Sequence, residues 1–289
     1  LMENNINFIF KKFPYWKDKH SPILNFLQTF IITIFIIFKL KDLNIDIVHL
    51  NDGKMKNTWA LASRILNKRI IFHQRTIFDN SRLSFLLLFI PDKIIAISDF
   101  AKNSLPTRFK KKTLVIYNPF RSINISPKKD SKINLCKKLS LNNQKYVLSC
   151  IGSVTNQKRP IIAIKTLYKL KEKGIPAILL FIGKISSEKK NSLSAEIKRC
   201  NLDKNIKILG YKKNIEPYLK GSDFIIAPAT NEGFGRVLIE SMLAKTPVIA
   251  SDHGGHKEII KNKINGILIK PNSPSEMAKA IENLIVNKK

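Results

Sequence analysis

Residues 228–240 read PATNEGFGRVLIE, and this stretch decides the fold. An apolar strand at 224–227 runs into it, Gly233 and Gly235 loosen the backbone, and an apolar-periodic helix opens near Arg236. Glycine reaches conformations closed to other residues and lets a ligand come close to the main chain. A helix start offers unpaired N–H groups and the positive end of a dipole, which suits a pyrophosphate. Two carboxylates frame the turn. Glu232 lies in the loop, and Glu240 lies inside the helix, where it can accept hydrogen bonds from paired sugar hydroxyls. Taken alone, the same residues also describe a plain helix with a glycine-rich entry, an acidic residue favourable to the dipole and a solvated Glu240.

Outward from this stretch, strands and helices alternate. Strands at 146–151, 177–182, 206–209, 224–227 and 247–250 are interleaved with helices, notably 160–173 and 237–244, and a last helix runs over 274–286. Upstream the pattern repeats with strands at 46–50, 69–73, 93–98 and 113–117 and a helix at 58–66, while 6–10 (INFIF) reads as a further strand. Strands separated by helices pair in parallel, so the class is α/β with doubly wound sheets. The polar, Lys- and Asn-rich stretch 122–143 reads as a linker between a reduced N-terminal unit, 1–125, and a second unit, 126–289. Two such units leave a cleft at the carboxyl ends of their strands, where ligands bind.

A chain of 289 residues with 44% hydrophobic and 25% charged residues builds a core rather than a disordered coil. Its formal charge of +30 attracts phosphorylated substrates and anionic lipid headgroups. Abundant Lys, Asn and Ile are also what an AT-rich coding sequence yields without any partner. The lysines are scattered (Lys110–Lys112, Lys128, Lys129, Lys189, Lys190) rather than gathered with aromatics, so no nucleic-acid partner is expected. Cys136, Cys150 and Cys200 lack metal-ligand spacing and read as free thiols of a reducing compartment. No basic start leads directly into an apolar core, so the expected location is the cytoplasm. The apolar segment 23–38, about 16 residues, is short against the roughly 20 of a span. It reads first as a buried helix, second as a membrane-surface helix flanked by Lys17, Lys19, Lys39 and Lys41, and third as a span.

The 228–240 stretch resembles the Glu-x7-Glu motif of retaining glycosyltransferases of family 4, which have the GT-B fold. The resemblance extends along the chain. Ile151-Gly152-Ser153 followed by Gln157-Lys158-Arg159-Pro160 is similar to the first strand and phosphate loop of the family's donor domain. Leu209-Gly210-Tyr211 resembles the segment facing the nucleotide base, and residues 246–251 with Gly254, Gly255 and Glu258 resemble the family's strand and turn on the carboxyl side of the motif. In the first half, residues 46–49, His73 and Ile97-Ser98 resemble family landmarks more weakly.

The resemblance implies two Rossmann-like domains and transfer of a hexosyl unit from a nucleotide-sugar donor to a glycan or lipid-linked acceptor. This would serve surface-polysaccharide biosynthesis, with the enzyme peripheral to the inner face of the cell membrane. It implies that Glu240 holds the ribose hydroxyls and that Glu232 contacts the donor sugar. Backbone amides around Gly235, Arg236 and Val237 would bind the phosphates, Gly233 and Phe234 would count among the donor-binding residues, and Lys158 would neutralise the departing diphosphate. Gly152, Ser153, Arg159, Gly210 and Tyr211 complete the donor side. His73 stands near the transferred sugar, or else is a core histidine closing a strand. No Asp-x-Asp occurs in the sequence, so neither a metal nor a further cofactor is expected. Relatives carry an Arg after the first-loop Gly, where this chain has Ser153, so one cation is missing unless Arg159 substitutes. They also start with a glycine-rich loop, whereas no Gly precedes Gly53, and they continue past the last helix. With Leu1 ahead of Met2, this raises a fragment, or a donor-binding subunit needing a partner chain, as the alternative. The context of Glu232 and Glu240 disfavours an epimerase, and no cofactor-lysine signature points to a phosphorylase.

Overall fold

The computed structural model describes residues 21–41, 43–122 and 127–287; the strand expected at 6–10 lies outside them. The chain divides into two units, Leu1–Ile97 with Ala101–Ile116, and Ser98–Phe100 with Tyr117–Lys289. The sequence reading puts the division at 125/126.

The first unit runs α1 (Pro22–Lys41), β1 (Ile47–Leu50), α2 (Gly53–Ile65), β2 (Arg69–Gln74), α3 (Arg82–Leu86), β3 (Lys93–Ala96), α4 (Asp99–Asn103, of which Asp99 and Phe100 are assigned to the second unit), α5 (Thr107–Lys110) and β4 (Thr113–Val115). Its four described strands pair in parallel in the order β1-β2-β3-β4. Leu50, Ile70, Phe72 and Ile94 form its centre. Helix α2 starts earlier than the expected 58 because the Asp52 side chain accepts the Met55 N–H at 2.8 Å, an N-cap that satisfies an orphan donor.

The expectation of a buried helix over 23–38 is corrected. Helix α1 buries one face, Thr29, Ile32, Thr33, Ile36 and Leu40, at helical spacing, packed beside α2. Ile23, Phe26, Phe30, Ile31 and Phe38 are exposed on other sides. The segment is apolar all round, but its described neighbours cover a single stripe. By length and composition alone, Ile23–Lys41 is long and apolar enough to cross a membrane.

The second unit runs α6 (Lys128–Leu139), β5 (Tyr146–Ile151), α7 (Pro160–Glu172), β6 (Ala177–Ile182), α8 (Ser187–Arg199), β7 (Ile206–Gly210), α9 (Glu216–Gly221), β8 (Phe224–Ala227), α10 (Arg236–Leu243), β9 (Val248–Ser251), α11 (His256–Ile259), β10 (Ile267–Ile269) and α12 (Pro274–Val286). Helix α6 corrects the linker expected at 122–143. Its polar composition hides two residues, Leu135 and Cys136, that bury against α9, and a Cβ at Gly221 would stand 2.6 Å from Leu135 Cβ. Lys132 adds an ion pair to Asp223 at 2.8 Å. Tertiary packing thus overrides a weak local signal.

The six strands are parallel in the order β10-β9-β8-β5-β6-β7. Helices α7 and α12 pack together over the buried apolar side chains of one face. The order reverses between β5 and β8, which pair at Leu148↔Phe224 and Ser149↔Ile225. In a doubly wound sheet this switch point opens a crevice beyond the strand ends. The loops leaving β5 and β8 are the two that carry Lys158 and Glu232.

Candidate functional site

At the end of β5 the chain turns at Gly152, with φ 136° and its N–H donated to the Ile182 carbonyl at 2.8 Å. The neighbouring strand β6 ends at Gly183, where a Cβ would lie 1.9 Å from the Gly152 carbonyl oxygen. Only glycine permits that approach. The Lys158 side chain folds back over Gly152, so that a Cβ there would meet Lys158 Nζ at 3.4 Å. Lys158 Nζ then reaches Glu232 Oε2 at 2.7 Å, a partly buried pair. Ser153 is exposed. Arg159, in the left-handed region at φ 50°, starts α7 and donates from Nε to Thr230 Oγ1 at 3.2 Å.

From β8 the chain enters the loop 228–235. Gly235 has φ 100° and caps α10 without any side-chain hydrogen bond, so that among the described residues no N-cap side chain takes up the first-turn amides of Arg236 and Val237. The buried His256 lies beneath this turn; a Cβ on Gly235 would stand 2.9 Å from its Cδ2. The Nδ1 atom of His256 is 3.1 Å from the Ser251 carbonyl, and burial pushes its pKa below the ordinary imidazole value. Gly233 and Phe234 are buried, with the Phe234 ring 5.7 Å from Tyr117 and 6.2 Å from Phe120.

Glu240, further along α10, accepts from Arg236 Nη2 at 3.1 Å and faces a cavity of about 480 Å³. Phe120, Arg121, Lys213 and Asn214 line the same cavity, and the Arg236 guanidinium lies 5.7 Å over the Phe120 ring. Gly210, at φ 66°, ends β7 and accepts the Gly183 N–H at 2.9 Å. Tyr211 beside it is 64% exposed, with Lys184 Nζ 5.5 Å over its ring.

The fold therefore gathers Gly152, Lys158, Arg159, Glu232 and the α10 entry at one switch point, with Glu240 in an adjoining cavity. Cations and helix amides at this place can hold a diphosphate, while Glu232 and Glu240 can accept from hydroxyls. His73 belongs to the first unit. Its ring stacks on His49 at 5.5 Å, and its Nε2 is buried without a hydrogen-bond partner among the described residues. Burial first, then Arg75 and His49, lower its pKa, which favours the neutral ring. Among the described residues no three His, Cys, Asp or Glu side chains cluster as metal ligands. Phe120, Arg121 and His256 escape sequence reading. The first two come after a turn with no pattern of their own, while His256 was signalled only by the Gly254-Gly255 pair before it.

Residues 131–289 match the family described as glycosyl transferases group 1. An uncharacterized glycosyltransferase of Methanocaldococcus jannaschii is 30% identical over 199 residues, covering 68% of this chain and 50% of that protein. The Campylobacter jejuni N-acetylgalactosamine-N,N'-diacetylbacillosaminyl-diphospho-undecaprenol 4-alpha-N-acetylgalactosaminyltransferase is 24% identical over 293 residues, covering 94% of this chain and 76% of that one. The chain spans about half the length of the first curated relatives it matches. Among solved structures, Anabaena HepE in complex with UDP and glucose superimposes with a TM-score of 0.77 at 22% identity, covering 94% of this chain and 76% of that one. The α/β architecture with its parallel sheets is that of the GT-B glycosyltransferases, and the chain belongs to the glycosyl transferases group 1 family.

Proposed function

We propose that this chain carries the donor site of a retaining glycosyltransferase that moves a hexosyl unit from a nucleotide-sugar to a glycan or lipid-linked acceptor in surface-polysaccharide assembly. The observation that carries the reading is the Lys158–Glu232 pair at 2.7 Å, set at the glycine-rich start of α10 and at the switch point of the sheet. An incoming diphosphate would take Lys158 and the α10 amides, releasing Glu232 to accept from donor-sugar hydroxyls. Glu240 would turn from Arg236 to the ribose hydroxyls in the adjoining cavity. As the bond between the sugar and the diphosphate breaks, negative charge grows on the leaving oxygen. Lys158, Arg159 and the helix start stabilise that charge more than the ground state, which is what accelerates the step. The acceptor hydroxyl attacks from the face the leaving group departs, and its proton passes to the departing phosphate oxygen. The charge stabilisation is assigned to these cations and amides, with no metal requirement.

The acceptor step is assigned to the inner face of the cell membrane. Support comes from the relative named for a diphospho-undecaprenol substrate and from the +30 charge, which attracts anionic lipids.

Calorimetry of UDP, GDP and ADP against the purified chain without added metal tests the reading. Saturable binding of one of them is expected, lost at least 30-fold in Glu240→Ala with the thermal midpoint kept, about 2 kcal/mol for one charged hydrogen-bonding group. A folded chain that binds none of the three would refute the donor site in this chain and favour one that needs a partner.

A further inference from the structure

The residue before Glu232 is held from both sides. Asn231 sits in the left-handed region at φ 57° and is exposed. Its N–H is donated to His253 Nδ1 at 3.1 Å, and its carbonyl accepts from Gln157 Nε2. One residue back, the Thr230 N–H goes to the Gln157 carbonyl at 3.1 Å, and one residue on, the Glu232 carbonyl takes the Gly255 N–H at 2.9 Å. Gln157 immediately precedes Lys158, so a single residue ties the loop carrying the cation to the loop carrying the carboxylate. For Nδ1 to accept, His253 must carry its proton on Nε2 and be neutral.

This network is polar and lies near the surface of the unit. Gln157 and Asn231 are exposed, and His253 is half-buried with its ring centroid 5.8 Å from that of Phe100, a contact that His253→Phe can keep. What the network fixes is the direction in which the next side chain, Glu232, leaves the backbone. A loop free to rotate about Asn231 would lose the aim of that carboxylate while leaving the α10 amides and the Glu240 cavity as they are. Preorganisation of this kind shows up as affinity for the group being contacted.

We propose that Gln157 and His253 are positioning residues that clamp the Asn231 peptide and thereby aim the Glu232 carboxylate at the sugar of the nucleotide-sugar donor. The inference rests on the donor-site reading above, and adds which residues set discrimination between the sugar conjugate and the bare nucleotide. His253→Phe removes the acceptor at similar ring size. Gln157→Leu removes the side-chain donor and keeps the backbone carbonyl. Asn231→Gly keeps the peptide and tolerates φ 57°, whereas Asn231→Val does not.

The test is calorimetric affinity for UDP and UDP-glucose, with GDP and GDP-mannose as the second pair, in each variant beside wild type and Glu232→Ala. His253→Phe, Gln157→Leu and Asn231→Val should each lose about fivefold to tenfold in affinity for the sugar conjugate, with nucleotide affinity unchanged and a thermal midpoint near wild type. Asn231→Gly should keep the wild-type ratio. The proposal is overturned if the clamp variants keep that ratio, if both affinities fall together, or if Asn231→Gly fails as Asn231→Val does. A wild-type chain that binds neither pair, or a Glu232→Ala variant indifferent to the sugar, would instead strike the donor-site reading.

Discussion

Replacing Lys56 with methionine should stabilise the first unit at neutral pH, by an amount that shrinks as pH rises. Lys56 is 1% exposed on α2, its Nζ donating to the Ser84 carbonyl at 2.5 Å and lying 5.6 Å from the Phe72 ring and 5.5 Å from the Phe78 ring. Burial lowers its pKa from 10.5 to about 7, only partly opposed by Asp79. Between those values the unfolded chain binds more protons than the folded one, so stability rises with pH. At about 1.36 kcal/mol per unit, the penalty carried by the lysine is about 4 kcal/mol at pH 7 and about 2 kcal/mol at pH 9. Methionine fills similar volume without the charge, but leaves the Ser84 carbonyl unpaired at a cost of roughly 1–3 kcal/mol at either pH. The net gain is therefore about 1–3 kcal/mol at pH 7 and near zero at pH 9. The pH-dependent part, about 2 kcal/mol, does not depend on the size of the lost hydrogen bond. Urea titrations followed by tryptophan fluorescence suit the measurement, because Trp59 lies on α2, the helix that carries Lys56. A difference between variant and wild type that is the same at pH 7 and pH 9 would refute the assignment of a buried, charge-penalised lysine.

The site itself yields three further expected outcomes. Gly183→Ala should lower the thermal midpoint and weaken nucleotide binding together, since its Cβ would lie 1.9 Å from the Gly152 carbonyl; a variant with wild-type melting and affinity would show that the β6 end does not shape the first loop. Lys158→Met should cost roughly tenfold or more in UDP or GDP affinity, read by calorimetry, and salt should weaken wild type more than the variant. Sugar transfer by wild type should survive saturating EDTA, and a loss restored by Mg²⁺ or Mn²⁺ would contradict the charge balance assigned to Lys158, Arg159 and α10.

Much of the fold was legible locally. Buried parallel strands such as 177–182 are continuous apolar runs, and strand runs broken by helical periods require parallel pairing, so the α/β class emerges from pattern. The turn chemistry of Gly235, which sits at φ 100°, is equally local, because a backbone conformation is set largely by its own residue. Helix α6 was not legible, because Leu135 and Cys136 gain their meaning only from α9, which lies far along the chain. The exposed side of α1 was misread for the same reason: periodicity cannot say how many neighbours a helix will find.

The sequence by itself determined which residue types were available for phosphate and sugar chemistry and where the backbone could bend to expose them. That Lys158 reaches Glu232, that His256 occupies the space a side chain at Gly235 would need, and that Gln157 and His253 meet at Asn231 were decided only by the tertiary structure. Those contacts come from β8 pairing with β5 on one side and β9 on the other, pairings between strands separated along the chain, and no local propensity encodes them.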